Sequence, residues 1–357
     1  MLELWRDKLM SIGVSFKHLD KMTDDTGIIQ FAKYDTPLKK SGYTVDDNAR
    51  ALLVALNMNT EGRKFAKTYI DFLKSAQRSD GSFVNLKIED AFFTTIDSED
   101  SIGRAFLACC YALCSGNASD NVKSKAKTVL EKTLPAISGF SSLRAIAYSL
   151  IGLTFLISNG YIHPDIYKLA NDMACQLKKA YSNNETKDWK WFEEYLTYCN
   201  AVLPHSLFSY YTISNDRSSL DIAEESLGFL TDSLLKNGYL SIVGNKGWWR
   251  KNGSLPAFDQ QPVDAASIIL ACVQGYTATG KKEYISKANI SYNWYWGKNI
   301  NGLQLYNEKS GGCHDALVYD GLNMNQGAEA LVSFLLTYQI MTAMLSENNR
   351  ISYIPAV

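Results

Sequence analysis

Two kinds of helical segment alternate along almost the whole chain, and few folds accommodate that pattern. Apolar residues return every three or four positions, the period of an amphipathic α-helix, and very little of the sequence reads as strand. Six segments, 44–58, 98–114, 141–157, 196–213, 261–277 and 325–345, are nearly free of lysine and rich in Ala, Leu, Ile, Ser and Gly all round. That composition belongs to helices buried on most sides. Between them lie 62–77, 122–137, 164–181, 219–236 and 282–296, which carry lysines and acids on one face. A sixth amphipathic segment, 2–22, places Leu4, Trp5, Leu9, Ile12 and Phe16 on one stripe. Buried helices alternating with half-exposed ones imply an inner ring wrapped by an outer ring and joined as αα-hairpins. The expected fold is all-α, an (α/α)6 barrel or six-hairpin toroid of about twelve helices, formed by residues 1–357 as a single domain.

Internal repetition agrees with this expectation. Thr44-Val-Asp46-Asp-Asn-Ala-Arg50-Ala aligns without a gap to Ser98-Glu-Asp100-Ser-Ile-Gly-Arg104-Ala, and Ser142-Leu-Arg144-Ala echoes their ends. A hydrophobic share of 46% supplies ample core, and 36 basic against 37 acidic residues leave a formal charge of -1. Such a balance gives no footprint for a nucleic-acid backbone or an anionic membrane surface, so a neutral or small partner is expected. The first residues lack the basic start and apolar run of a secretory signal, and no stretch is long and apolar enough to span a bilayer. A cytoplasmic location follows as the expectation. Seven cysteines without paired CxxC clusters read as reduced core thiols, and no metal or cofactor is called for.

The loops are unequal. Those leading into the buried helices are long, at 79–97, 239–260 and 298–323, whereas the return loops are short; turns followed by short extended runs are expected at 77–83 and 238–244. A site is therefore expected at the rim where the inner helices begin. Acids and amides recur there: Asp46 and Asp47, Glu99 and Asp100, Glu193 and Glu194, Asp259, Gln260, Gln261 and Asp264, then His314, Asp315, Asn325, Gln326 and Glu329. Thr44 with Asp47 also fits a capping box, and any first-turn acid is favoured by the helix dipole. Capping leaves Asp46 with Arg50 and Asp100 with Arg104 unexplained, pairs four apart at the start of buried helices.

Aromatics supply a second theme. Trp189, Trp191, Phe192, Tyr195 and Tyr198 precede or open the fourth inner helix, and Trp248 and Trp249 lie in the loop before the fifth. Sugar rings stack their apolar faces on such side chains, while their hydroxyls need acids, amides and arginines. Trp189 and Trp191 equally suit a loop anchor. Of the four histidines, His205 and His314 fall within or near inner helices and are candidate proton carriers or substrate-orienting groups. No glycine-rich phosphate loop, nucleophile elbow or HExxH motif appears.

Together, Tyr43-Thr-Val-Asp46-Asp47-Asn48-Ala-Arg50-Ala, Glu99-Asp100-Ser-Ile-Gly103-Arg104-Ala, Phe258-Asp259-Gln260-Gln261-Pro262-Val-Asp264-Ala, and Gly312-Cys-His314-Asp315 followed by Asn325-Gln326-Gly327-Ala-Glu329 resemble a group of six-hairpin-toroid, glycosidase-like proteins. Members of that group are associated with glycosyltransferases and sugar-processing enzymes. The resemblance spans roughly residues 43–336 and implies the (α/α)6 fold and a carbohydrate context, with the reaction unassigned. One departure is Glu329-Ala330-Leu331, where the group's pattern has a hydroxyl after the acid. Sugar 2-epimerases share the toroid, but their histidine-bearing motifs are not reproduced around His205.

Three functions are consistent with these residues. An inverting glycoside hydrolase acting on an intracellular oligosaccharide would draw its acid and base from Glu99 or Asp100 on one side and Asp259, Asp264 or Glu329 across the cavity. Asp46, Asp47, Arg50, Arg104, Trp189, Trp191, Tyr198, His205, Trp248, Trp249, Gln261, His314, Asp315 and Gln326 would bind substrate. The alternatives are a noncatalytic glycan-binding partner of a glycosyltransferase or phosphorylase, and a sugar epimerase or isomerase using His205 and His314.

Overall fold

A computed structural model describes residues 13–345. Among them are twelve α-helices. In chain order these are α1 (Lys17–Met22), α2 (Val45–Leu56), α3 (Arg63–Ala76), α4 (Glu99–Cys114), α5 (Asp120–Ile137), α6 (Leu143–Ser158), α7 (Ile166–Asn184), α8 (Val202–Ser214), α9 (Arg217–Leu234), α10 (Pro262–Thr279), α11 (Lys282–Tyr292) and α12 (Ala328–Leu345). The even-numbered helices touch in the order α2, α4, α6, α8, α10, α12 and back to α2, which closes a ring. Helices α3, α5, α7, α9 and α11 each pack on the inner helix before them, and α1 packs on α12. The molecule is an (α/α)6 toroid.

Burial follows the two compositions. Every residue of α6 from Arg144 to Leu156 is buried, as is every residue of α10 from Pro262 to Gly275, so neither helix has a face for solvent. Outer helix α3 instead buries Phe65, Ala66, Tyr69, Ile70, Phe72, Leu73 and Ala76, a single helical stripe. Three inner helices start on hydroxyl caps: Thr44, Ser98 and Ser142 each accept a hydrogen bond from the amide three residues on. Each such cap is worth about 1 kcal/mol.

The inner helices differ in how closely they approach. At Gly103 of α4 an added Cβ would lie 2.9 Å from the Ala145 carbonyl oxygen of α6, and at Gly152 of α6 it would lie 3.0 Å from Cys110 Sγ. Hydrogen in place of a side chain is what lets α4 and α6 come together. The seven cysteines carry no disulfide, and five of them are buried.

Several expected boundaries move. The fourth inner helix begins at Val202 and not at 196, because Tyr195–Leu196 is a strand paired with Trp249–Arg250, and Cys199 takes a left-handed turn with φ of 45°. The outer helix expected over 2–22 is seen as Lys17–Met22; Leu4, Trp5, Leu9 and Ile12 lie outside the described residues. The run 238–244 is not a strand, since the Ser241 and Gly244 amides donate to the Leu234 and Pro256 carbonyls. The last inner helix starts at Ala328, three residues later than 325.

Short antiparallel sheets decorate only the loops that lead into inner helices. Tyr43–Thr44 pairs with Leu86–Ile88 and that strand with Ala91–Phe93, while Ala32–Lys33 pairs with Thr36–Pro37 and Ala316–Val318 with Gly321–Asn323. The helical ring is thus bare at one rim and elaborated at the other. Gly103→Val forces a branched side chain into the α4–α6 backbone contact and is expected to lower stability by about 1–3 kcal/mol, read as a fall in urea midpoint. Gly228→Ala, in α9 with nothing within 4 Å of its added Cβ, is expected to raise stability by about 0.5–1 kcal/mol in the same measurement.

Candidate functional site

The first turns of the inner helices meet at the elaborated rim, stitched by buried arginines. Arg50, 3% exposed, reaches Asp47 one turn back on α2 (3.4 Å) and Glu329 at the start of α12 (3.1 Å). Arg104 of α4, 5% exposed, crosses to Asp46 of α2 at 2.7 Å and lies over the Tyr148 ring of α6 while donating to its hydroxyl. Asp100 on α4 accepts from the Ser142 hydroxyl at 2.6 Å and from the Tyr198 hydroxyl at 2.5 Å. Arg144 of α6 binds Glu193, the Tyr198 carbonyl and the Asn200 amide oxygen in the approach to α8. Asp264 of α10 accepts from the Cys199 amide at 2.5 Å. Polar bonds of this kind run from one inner helix to the next around most of the ring.

Above this layer opens a cavity of about 400 Å³. Its chemistry comes from Asp46, Asp47, Asp259, Asp315 and Glu329, together with Arg50 and the amides of Gln30, Asn245, Gln261 and Asn323; Phe31 and Ile96 add apolar wall. Five carboxyls in one space do not titrate alike. Burial pushes Asp47 up to about 7, helped by repulsion from Glu329 and Asp46 and opposed by Arg50. Asp315 is raised to about 6, again by burial first, with the Gly327 amide holding one oxygen at 2.7 Å and Glu329 adding repulsion. Burial alone would also raise Asp46, but Arg104, Arg50 and the Asn85 amide outweigh it and hold Asp46 below the usual carboxylate range. Asp264, buried and outside the cavity lining, is raised by burial to about 7.

The structure separates the sequence candidates into groups. Asp46, Asp47, Arg50, Asp259, Gln261, Asp315 and Glu329 share the cavity. Glu99 does not. Its carboxylate accepts from the Ser141 and Ser142 amides, so it clasps the start of α6. Asp100 and Arg104 lie in the supporting layer, and Asp264 is spent on the Cys199 turn. Trp189 and Trp191, expected to stack on substrate, are 4% and 0% exposed. Trp189 meets Phe229 and Trp249 edge-on at 5.2 Å each, an anchor for the loop that leaves neither its face nor that of Trp191 to a ligand. Trp249 belongs to this cluster as well, stacked on Phe229. Trp248 instead packs beside Tyr198 at 6.3 Å, next to Asp100.

His205 and His314, 1% and 4% exposed, are both outside the cavity lining. His314 Nδ1 lies 3.2 Å from the Met324 carbonyl, and burial lowers its pKa, which favours the neutral ring. Gln326 accepts from the Ser310 hydroxyl, with Gly312 packed so closely that a Cβ there would lie 2.1 Å from the Gln326 side-chain oxygen. Sequence reasoning missed Gln30, Phe31, Asn245 and Asn323. The loop lengths pointed toward the last two, but nothing local marked 30–31, which reach the rim through a turn closed by Ser41 and Gly42.

The raised carboxyls make stability depend on pH. Asp47 and Asp264 have folded values near 7, above an unfolded value near 4, so their contribution is complete below about pH 4 and is lost as pH rises to about 7. Denaturant titrations at stepped pH are expected to show wild-type stability falling across that window relative to Asp264→Asn. Equal slopes for the two proteins would refute the assignment.

No family model matches the chain, and neither does any curated protein. Solved structures do match. A sugar epimerase from a ruminal bacterium superposes with a TM-score of 0.74 at 11% identity, over 98% of this chain and 100% of that one. A D-mannose isomerase gives 0.68 at 15%, over 97% of each. An α-1,6-mannanase from Salegentibacter gives 0.62 at 11%, over 97% and 100%, and was also solved as an inactive variant, two adjacent aspartates replaced by asparagine, in complex with α-1,6-mannotriose. Likeness at such identities concerns architecture: this chain has the six-hairpin (α/α)6 toroid on which those sugar-processing enzymes are also built.

Proposed function

We propose that this chain is a carbohydrate-active enzyme, an inverting glycoside hydrolase that takes an oligosaccharide into the rim cavity. The observation that carries the reading is the presence in one cavity of Asp315, its pKa raised to about 6, and Glu329, ion-paired to Arg50. Glycosidic cleavage needs a protonated acid at the leaving oxygen and a carboxylate on the far side of the ring. Asp315 suits the first role because one of its oxygens is fixed by the Gly327 amide, leaving the other for substrate. Asp47 has the higher value, but both its oxygens are engaged, by the Thr44 hydroxyl and by Arg50.

In the proposed step Asp315 gives its proton to the glycosidic oxygen as the bond to the anomeric carbon breaks. Glu329 takes a proton from the water whose oxygen forms the new bond, and Arg50 orients that carboxylate. Asp46, Asp47, Gln30, Asn245 and Gln261 would pair with sugar hydroxyls. Adjacent aspartates are absent from the inactive mannanase variant, and Asp46 and Asp47 stand adjacent in this cavity. The epimerase reading has the support of fold, but its two proton carriers, His205 and His314, are buried and do not line the cavity.

Incubation with manno-, gluco- and galacto-oligosaccharides, products resolved by chromatography, is expected to show cleavage of one series. Glu329→Gln and Asp315→Asn should each lower kcat by about 10²–10⁴, and kcat/KM should fall as pH rises through about 6, where Asp315 loses its proton. Proton NMR of the first product should show the inverted anomer. Binding of a glycan without cleavage, unchanged in Glu329→Gln, would instead favour the noncatalytic partner.

A further inference from the structure

Large hydrophobic side chains left in solvent cost free energy, so their distribution is informative. Twelve are exposed among the described residues, and ten of these lie in loops that lead into inner helices, on the rim that bears the cavity. Two are placed to meet whatever enters it. Phe31 lines the cavity and is 52% exposed. Its backbone is pinned on both sides, the amide by the Ser41 hydroxyl and the carbonyl by the Leu38 amide, so the ring stands on a fixed turn. Tyr319 is 82% exposed at the tip of a tight hairpin in which Val318 pairs with Gly321. Ala316 and Asn323, at the base of that hairpin, line the cavity. The Tyr319 ring meets Phe258 edge-on, with centroids 5.8 Å apart, and Phe258 precedes the lining residue Asp259.

We infer that Phe31, at the cavity wall, and Tyr319, beyond it, are stacking subsites for successive sugar units, which makes the substrate a chain of neutral sugars longer than the part the carboxylates enclose. The inference rests on the carbohydrate reading of the cavity and adds to it the length of the ligand. An apolar ring on a rigid turn offers a sugar face a platform at little cost in side-chain entropy, and the hydroxyls around that face stay in water. The cavity below supplies directional pairing through acids and amides, whereas the rim supplies area. A monosaccharide held by the carboxylates would touch neither Tyr319 nor most of the exposed rim.

The test is a size series from mono- to hexasaccharide in the manno-, gluco- and galacto- forms, with Kd from calorimetry for every member and KM from product release for the disaccharide and longer members, on the same proteins. For wild type, both constants are expected to tighten with length. Tyr319→Ala should weaken the longest members by roughly fivefold to tenfold and leave the shortest member and kcat unchanged, whereas Phe31→Ala, at the cavity wall, should weaken the disaccharide and all longer members by a similar factor. Tyr319→Phe should restore wild-type values, and Tyr167→Ala, exposed on α7 away from the rim, should have no effect. All three positions are on the surface, so loss of fold does not confuse the result. Cleavage with length dependence unaltered by both alanine variants overturns the inference and leaves the hydrolase reading standing. Length-dependent binding that the variants remove, without cleavage of any member, upholds the inference and sinks hydrolysis. No binding to any glycan overturns both.

Discussion

Buried arginines paired with carboxylates of neighbouring inner helices are the constraint on which the rest of this structure turns. Each helix presents the positive end of its dipole and several unpaired amides at its first turn, and the toroid brings such ends to one rim. Left alone they would repel one another and want for acceptors. Acids at the first turns answer this, but acids crowded together repel in turn. Arg50 and Arg104 resolve the conflict by crossing to the adjacent helix, Arg50 to Glu329 and Arg104 to Asp46. Both guanidiniums are nearly excluded from solvent, whereas the Asp46 side chain is 21% and the Glu329 side chain 45% exposed, so losing either carboxylate leaves a buried positive charge short of a partner. Polar bonds supplement packing around most of the ring.

The same arrangement creates chemical inequality among similar groups. Asp46, met by Arg104 and Asn85, is held in its ionised form. Asp315 has an amide for one oxygen and no arginine, and burial with the repulsion of Glu329 pushes it the other way. A shared cavity holding both kinds is the prerequisite for general acid and general base work at one pH. Nothing in the residue types alone distinguishes Asp46 from Asp315. Their neighbours do, and those neighbours come from α4 and the turn before α12.

Stability and specificity are divided between two parts of the fold. The paired helices supply the rigid frame, as the all-round burial of α6 and α10 shows. The rim loops, short hairpins anchored by the Trp189, Trp249 and Phe229 cluster on one side and by the Gln260–Leu317 bridge on another, carry the cavity walls and the exposed aromatics. A loop on such a frame can change its side chains without disturbing the ring, which is consistent with one architecture serving epimerases, isomerases and a mannanase at 11–15% identity.

The sequence by itself determined the architecture and the rim. Periodicity and lysine content told inner from outer helices, because burial on all sides and burial on one side demand different compositions; the Asp46–Arg50 and Asp100–Arg104 repeats marked where polar groups would gather. What only the tertiary structure decided is the direction in which each side chain points. Glu99 and Glu329 both open inner helices, yet the first folds over to clasp Ser141 and Ser142 while the second faces the cavity. Trp191 and Trp248 both precede inner helices, but one is sealed in the core and the other sits at the rim beside Tyr198. Asn245 and Gln30 reach the same wall from parts of the chain some two hundred residues apart. Local pattern fixes which face of a helix is apolar, whereas the outlook of a first-turn or loop residue depends on helix crossing and on loops arriving from elsewhere, and no spacing within one segment encodes either.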